Sequence, residues 1–379
     1  MVNRDSTEIR VLLAGDVMLG RGVDQILPHP GDPTIYENWR EIDSARVFVD
    51  RIEQAHGPVP DRRGLDYVWG DILQDFEAFR PDLTLINLET AITRAAEPWQ
   101  GKRIHYRMHP NNVEVLGRAG VDICAIANNH VMDWGRDGLA ETVVTLDRAG
   151  IRYAGAGPDR RSAERPVIHE VAGRGRVIVV SLATPNSGVP VAWSARNGQS
   201  GVNLVDLDDD WIDYLCNGWD GLKQPGDLFI VSIHWGDNYQ PPYDGRQRHF
   251  ARRLIDEAGV DVIHGHSSHH VRGIELYKDR PIFYGCGDLV NDYESAILPQ
   301  KRAAFFPKLG LAYFARFAAG DGRLIGLQMR PTRMRRLRVR RADAADSRRL
   351  QAILNQARAE LGTYVIEKDG FLCLRADDG

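Results

Sequence analysis

Five short apolar runs, each ended by a residue able to bind a metal or move a proton, constrain this chain more than any other feature. Ile9 to Ala14 leads into Gly15-Asp16, and Asp82 to Leu88 into Glu89-Thr90. Val121 to Ala127 leads into Asn128-Asn129-His130, with Asp133 close behind. Asp227 to Ile233 leads into His234, and Asp261 to Ile263 into His264-Gly265-His266-Ser267-Ser268-His269-His270. Apolar runs of this length, bounded by turn signals, read as buried strands. Helical spacing lies between them, over Tyr67 to Phe79, Asn112 to Ala119, Gly138 to Arg148 and Arg246 to Ala258. Strands alternating with helices predict an α/β protein with a mostly parallel sheet. In such sheets, ligands gather outside the carboxyl ends of the strands. The polar residues that end these runs are therefore predicted to meet on one rim.

Their chemistry is that of a metal site. Carboxylates, an amide oxygen and imidazoles without thiolate suit manganese, iron or zinc. The four cysteines are far apart and form no Cys-x-x-Cys, which argues against a disulfide framework or a thiolate zinc site. A carboxylate bridging two ions would make a two-metal site for an in-line displacement. The histidines at 264, 266, 269 and 270, joined by His234, are too many for packing alone to explain.

With 379 residues the chain exceeds one ordinary compact domain. Residues 7–310 are expected to form the catalytic core, and 311–379 a β-hairpin and helix packed on it. The irregular stretch 28–70 is expected to cover the site. Its aromatics Tyr36, Trp39, Tyr67 and Trp69 could wall a pocket or form a satellite core. A net charge of −4 gives no electrostatic case for nucleic acid. Seven arginines between Arg330 and Arg341 could hold a polyanion or guard an edge strand. No signal segment and no long apolar run is seen, so no membrane span and a cytoplasmic location are expected.

The ordered blocks resemble the calcineurin-like metallophosphoesterase superfamily and, more closely, the CapA family of bacterial capsule and poly-γ-glutamate synthesis proteins. The matching pieces are Gly15-Asp16-Val17-Met18-Leu19-Gly20-Arg21, Asn87-Leu88-Glu89, Asn128-Asn129-His130 with Asp133-Trp134-Gly135, His234-Trp235-Gly236, Gly265-His266 through His269, and Gly285-Cys286-Gly287-Asp288. The resemblance implies an α/β fold: a metallophosphoesterase-type β-sandwich flanked by helices (α-β-β-α), with a small C-terminal β/α addition. It implies a metal-dependent hydrolase, a phosphoesterase, using one or two divalent ions (Mn, Fe or Zn) on a small anionic substrate. Glu89 would bridge the ions. Asn129, His234 and His266 would complete one site, and Asp16 and His269 the other. His130 would act as general acid or electrostatic stabiliser, oriented by Asp133. Arg21 and Arg107 would bind the substrate.

Two positions depart from the pattern or leave it open. The superfamily's Asp-x-His has Met18 in third place, and a thioether is a poor ligand for these ions. Either His269 or His270 could serve the second ion, with family spacing favouring His269. Two other functions stay open: chemistry at a γ-glutamyl amide bond, and a non-catalytic metal-stabilised scaffold for capsule-type biosynthesis.

Overall fold

The computed structural model describes residues 7–37, 42–60, 64–295, 306 and 308–377. Alternating side chains on its buried strands produce two sheets packed face to face. The first has ten strands, with Glu8–Val17 in the middle. On one side of that strand lie, in turn, the parallel strands Leu83–Leu88, Ile123–Ala125 and Arg152–Ala154. On the other side lies antiparallel Leu309–Ala318, followed by Leu324–Met334. The second sheet has six strands. Its parallel core is Gly175–Ala183, Leu228–His234, Val262–His266 and Arg280–Phe283.

Period-two alternation explains the layering. Ile9, Val11, Leu13, Leu83 and Leu85 of the first sheet meet Val177, Val179, Leu228 and Ile230 of the second in one central core. The alternate residues Leu12, Ala14, Ile86 and Leu88 face outward and pack on helical Ile52, Ile72, Phe76, Leu139 and Leu146. On the far side, Ile178, Val180, Phe229 and Val231 pack on Ile212, Leu215, Phe250 and Leu254. Each fully buried Val, Leu or Ile contributes roughly 1.5–3 kcal/mol. The protein is thus a mixed α/β structure, and none of its described helices is long and apolar enough to cross a membrane.

The C-terminal segment is more integral than expected. Leu309–Ala318 pairs with Glu8–Val17 from Glu8 to Ala14, so the 311–379 segment supplies central strands of the main sheet. The arginine run is taken up in ion pairs. Arg330 and Arg341 each present a two-nitrogen fork to Asp75, at 2.9–3.1 Å. Arg338 and Arg340 reach Asp71, and Arg333 reaches Asp346. The Asp71 and Asp75 pairs clamp the strands Leu324–Met334 and Val339–Arg341 onto the helix Ile72–Phe79 and its lead-in, while the Asp346 pair reaches the helix Ala344–Asn355, so five of the seven arginines are paired within the chain.

The aromatics of 28–70 also divide. Trp69 is fully buried in the outer core, donating to Val115 O at 2.7 Å, and Tyr67 donates to Arg336 O. Tyr36 lies near His105 and Trp134, and Trp39 falls outside the described residues.

The shared Asp75 carboxylate gives the fold a testable joint. Asp75→Ala should lower unfolding free energy by about 2 kcal/mol, the scale of charged hydrogen bonds. Urea denaturation followed by circular dichroism measures this, and an unchanged midpoint would show that the clamp adds nothing.

Candidate functional site

Parallel strands of both sheets end at one rim, and the side chains there are buried. Asp16 sits near the end of the central strand. Up to Ala14 its neighbour on one side is Leu309–Ala318; at Asp16 the neighbour becomes the parallel strand Asp288–Val290. That register sets Asp16 opposite Asp288 on one side and Asn87 on the other. Gly15 permits the approach, because a Cβ there would lie 2.0 Å from Gly287 O. In the second sheet, His234 and His266 are register partners at the ends of adjacent strands.

Two sets of ligand atoms result, each within 4.8 Å: Asp16 with His234 and His266, and Asp16 with Glu89, His269 and Asp288. The expected bridge is Glu89, but the residue common to both sets is Asp16. The reason is position: Asp16 lies inside the sheet between the other donors, whereas Glu89 follows the end of its strand. Glu89 still approaches both, with Oε1 4.0 Å from His234 Nε2 and 3.8 Å from His269 Nε2. His269 joins the cluster and His270 does not. Met18 is buried in the outer apolar core, so the first block brings Asp16 alone. Asp288 supplies a carboxylate that the strand-end reading does not name. A signal for it was present, a second Gly-Asp pair at Gly287-Asp288.

Hydrogen bonds orient these groups. Asn128 Nδ2 donates to Asn87 Oδ1 at 3.0 Å, and Asn87 Nδ2 donates to Asp16 Oδ1 at 2.7 Å. Asn128 Oδ1 accepts from the backbone of His130 and Val131, which shapes the loop. Ser232 Oγ lies 3.0 Å from both His264 Nδ1 and His266 Nε2. Among buried atoms without a hydrogen-bond partner are both carboxylate oxygens of Glu89, His234 Nε2 and Asn129 Oδ1. Buried polar atoms are rarely left unpaired. The unpaired Glu89 Oε1 and His234 Nε2 lie 4.0 Å apart, and carboxylate oxygen with imidazole nitrogen is a donor set that divalent ions fit.

The electrostatics agree. Burial pushes Asp16 up to about 7, with Asp288 adding to the rise. Burial, then Asp16, holds Glu89 well above the ordinary carboxylate range. Burial pulls His269 down, but Glu89 and Asp288 outweigh it and hold the imidazole well above its usual value. Burial keeps His234 and His266 well below theirs. A metal cation would let the carboxylates ionise together.

His130 stands at the edge of this group. Its Nδ1 is 2.6 Å from Asp133 Oδ2 and its Nε2 is 3.9 Å from Glu89 Oε1. Tyr106 stacks on the ring at 4.0 Å, and its backbone N–H donates to Asp133. Lys102, not singled out from the sequence, lies 2.5 Å from Asp133 Oδ1 and also donates to Asn129 O. Burial pushes Asp133 up to about 6 against the pull of Lys102, and holds His130 well below its usual value.

The two arginines are bonded within the chain. Arg21 is buried, donating to Glu37 at 2.7 Å and to Asp292 through two nitrogens, with Phe48 against its face. Arg107 donates to Ala95 O and Asp32 O and covers the Trp134 ring. Both side chains hold chain segments around the rim, and both line one small cavity together with His105 and Trp134.

Comparison with known proteins follows the same lines. Residues 10–293 match the family described as bacterial capsule synthesis protein PGA_cap. A Mycobacterium tuberculosis protein, named probable polyglutamine synthesis accessory protein, is 42% identical over 366 residues, covering 95% of this chain and 94% of that one. Capsule biosynthesis protein CapA of Bacillus anthracis is 25% identical over 295 residues, 76% of this chain and 61% of that protein. PGA biosynthesis protein CapA of Bacillus subtilis is 28% identical over 279 residues, covering 73% and 62%.

If the unpaired atoms are ligands, manganese, iron(II) or zinc should raise the melting temperature. Metal at a hundredfold its dissociation constant adds about 2.7 kcal/mol to the folded state. Asp16→Asn should abolish that rise, as read by differential scanning fluorimetry; a full rise in the variant would remove Asp16 from the site.

Proposed function

The chain belongs to the bacterial capsule synthesis protein PGA_cap family, and from that premise we propose that it is a metal-dependent hydrolase of the metallophosphoesterase type. The observation that carries this reading is the pair of ligand sets joined at Asp16, at the carboxyl ends of buried strands. The two face-to-face sheets with helices outside are consistent with the α-β-β-α sandwich of that superfamily. Asp16, Glu89, His269 and Asp288 would hold one ion. Asp16, His234 and His266, with Glu89 nearby, would hold the other, and the resemblance adds Asn129 to this set. Bound divalent ions supply the Lewis acidity that activates water and draws charge from phosphorus.

The remaining roles belong to the chain's own groups. His130 would serve the leaving oxygen through Nε2, the nitrogen that faces Glu89: a proton taken up there, with Nδ1–H held by Asp133, would pass to that oxygen and return the ring to neutral. Asp133 holds Nδ1 and so fixes the ring's tautomer, while Tyr106 beneath it fixes the plane. Lys102 balances the Asp133 charge and closes the loop over Asn129. The substrate would be a small anion; Arg21 and Arg107, which line one cavity, would stand at its border while bonded to Asp292 and Ala95 O.

A second reading is favoured by the relatives' names, which speak of polyglutamine and capsule synthesis and of an accessory protein. In it the same centre acts on a γ-glutamyl amide bond, or holds metal as a scaffold for polymer synthesis.

The test is activity of the metal-loaded protein on phosphate mono- and diesters and on γ-glutamyl peptides. Phosphoesterase turnover should fall by about 10²–10⁴ in His130→Ala, with metal content unchanged. Turnover on the peptides alone supports the amide reading. Full metal loading with no turnover on either panel would leave the scaffold.

A further inference from the structure

Beyond the His269–His270 turn lies a cavity of about 440 Å³. Its wall includes Tyr239, Gln240, His270, Arg272, Ile353 and Gln356, and no acidic residue lines it. Arg272 is the unusual member. It is 1% exposed, as buried as a core leucine. Its bonds all go to neutral oxygens: Nε to Pro241 O at 2.7 Å, and Nη1 to Gln247 Oε1 and Tyr284 O at 2.9 Å each. Its Nη2 is buried with no hydrogen-bond partner. Arg21, by contrast, is equally buried but has two carboxylates.

Asp244 favours the Arg272 charge through space, but among the described residues no carboxylate is hydrogen-bonded to it; a buried charge matched so weakly is costly, and arginine cannot relieve it by losing its proton. Burial pulls the guanidinium down only to about 10, so it stays charged at neutral pH. What the geometry lacks is an anion, and a guanidinium fork matches carboxylate and phosphate oxygens. The volume lies in the range of small-molecule sites and exceeds what a lone oxyanion fills.

We propose that this cavity is an anion subsite in which Arg272 takes a carboxylate or phosphate group of an organic ligand. Tyr239 connects it to the metal residues. Its ring lies 6.4 Å from that of His269 and 6.2 Å from that of His270, and its backbone N–H donates to Ser268 O. A ligand anchored at Arg272 and extending past Tyr239 would approach the His269 side of the centre. That last link rests on the function proposed above; anion binding at Arg272 does not.

The experiment is isothermal titration of the full chain, metal-loaded and after chelation, with inorganic phosphate, glutarate and γ-glutamylglutamate. At least one probe should bind the chelated protein. Arg272→Met and Gln356→Glu, the second exposed in the turn that ends the helix Ala344–Asn355, should each weaken it about tenfold or more with metal loading unchanged. Preference for phosphate or for the carboxylates identifies the group. No binding by any probe, or binding that Gln356→Glu leaves unchanged, overturns the proposal, and Gln356→Glu decides alone should Arg272→Met fail to fold. Turnover is read separately: anion binding without turnover keeps the subsite and removes the hydrolase, and turnover without anion binding does the reverse.

Discussion

Three carboxylates, Asp16, Glu89 and Asp288, are buried together against His269, and their mutual repulsion is the constraint around which the rim is built. Ionised acids in a dry environment repel strongly and lose their hydration. One protonated imidazole cannot balance three of them. Burial accordingly holds Asp16 and Glu89 toward their neutral forms. The surroundings keep the donors in place at this cost: Asn87 and Ser267 N–H hold Asp16, and Asn128 holds Asn87. A divalent cation resolves the conflict in one step, turning repelling groups into ligands. The same acids would be a liability in a fold with no such cation.

The two sheets make that crowding possible. Their shared core fixes the strands, and the strand ends deliver Asp16 and Glu89 from one sheet and His234 and His266 from the other. Strand Asp288–Val290 then replaces an antiparallel neighbour at the one position where a carboxylate beside Asp16 is needed. The long C-terminal strands contribute by holding the central strand along its first seven pairs. Around the candidate ligands, further side chains set direction: Asp133, Tyr106 and Lys102 around His130, and Ser232 between His264 and His266.

Much of this was legible in the sequence, and the omissions have physical causes. Apolar runs ended by Asp16, Glu89, His234 and His266 reveal strand ends, because burial and alternation are local properties. Asp288 was not named as a ligand because its place beside Asp16 comes from pairing with a strand some 270 residues earlier; the Gly287-Asp288 pair marks a turn without showing that pairing. The partners of Arg21 and Arg107 were not legible because a sequence displays a cation without them; Glu37, Asp292 and backbone carbonyls engage the pair. The arginine run left two readings open for the same reason, since Asp71 and Asp75 lie far off in sequence. Arg272 is the converse, a buried cation whose three bonds all go to neutral oxygens.

The central claim is that Asp16 is shared by two metal sets. Anomalous diffraction at the manganese or zinc edge, from crystals grown with that ion, addresses it directly. Two anomalous peaks are predicted, one between Asp16 and the His234–His266 pair and one among Asp16, Glu89, His269 and Asp288. Saturating metal with no peak at Asp16, or a peak only at a site that lacks it, would contradict the account.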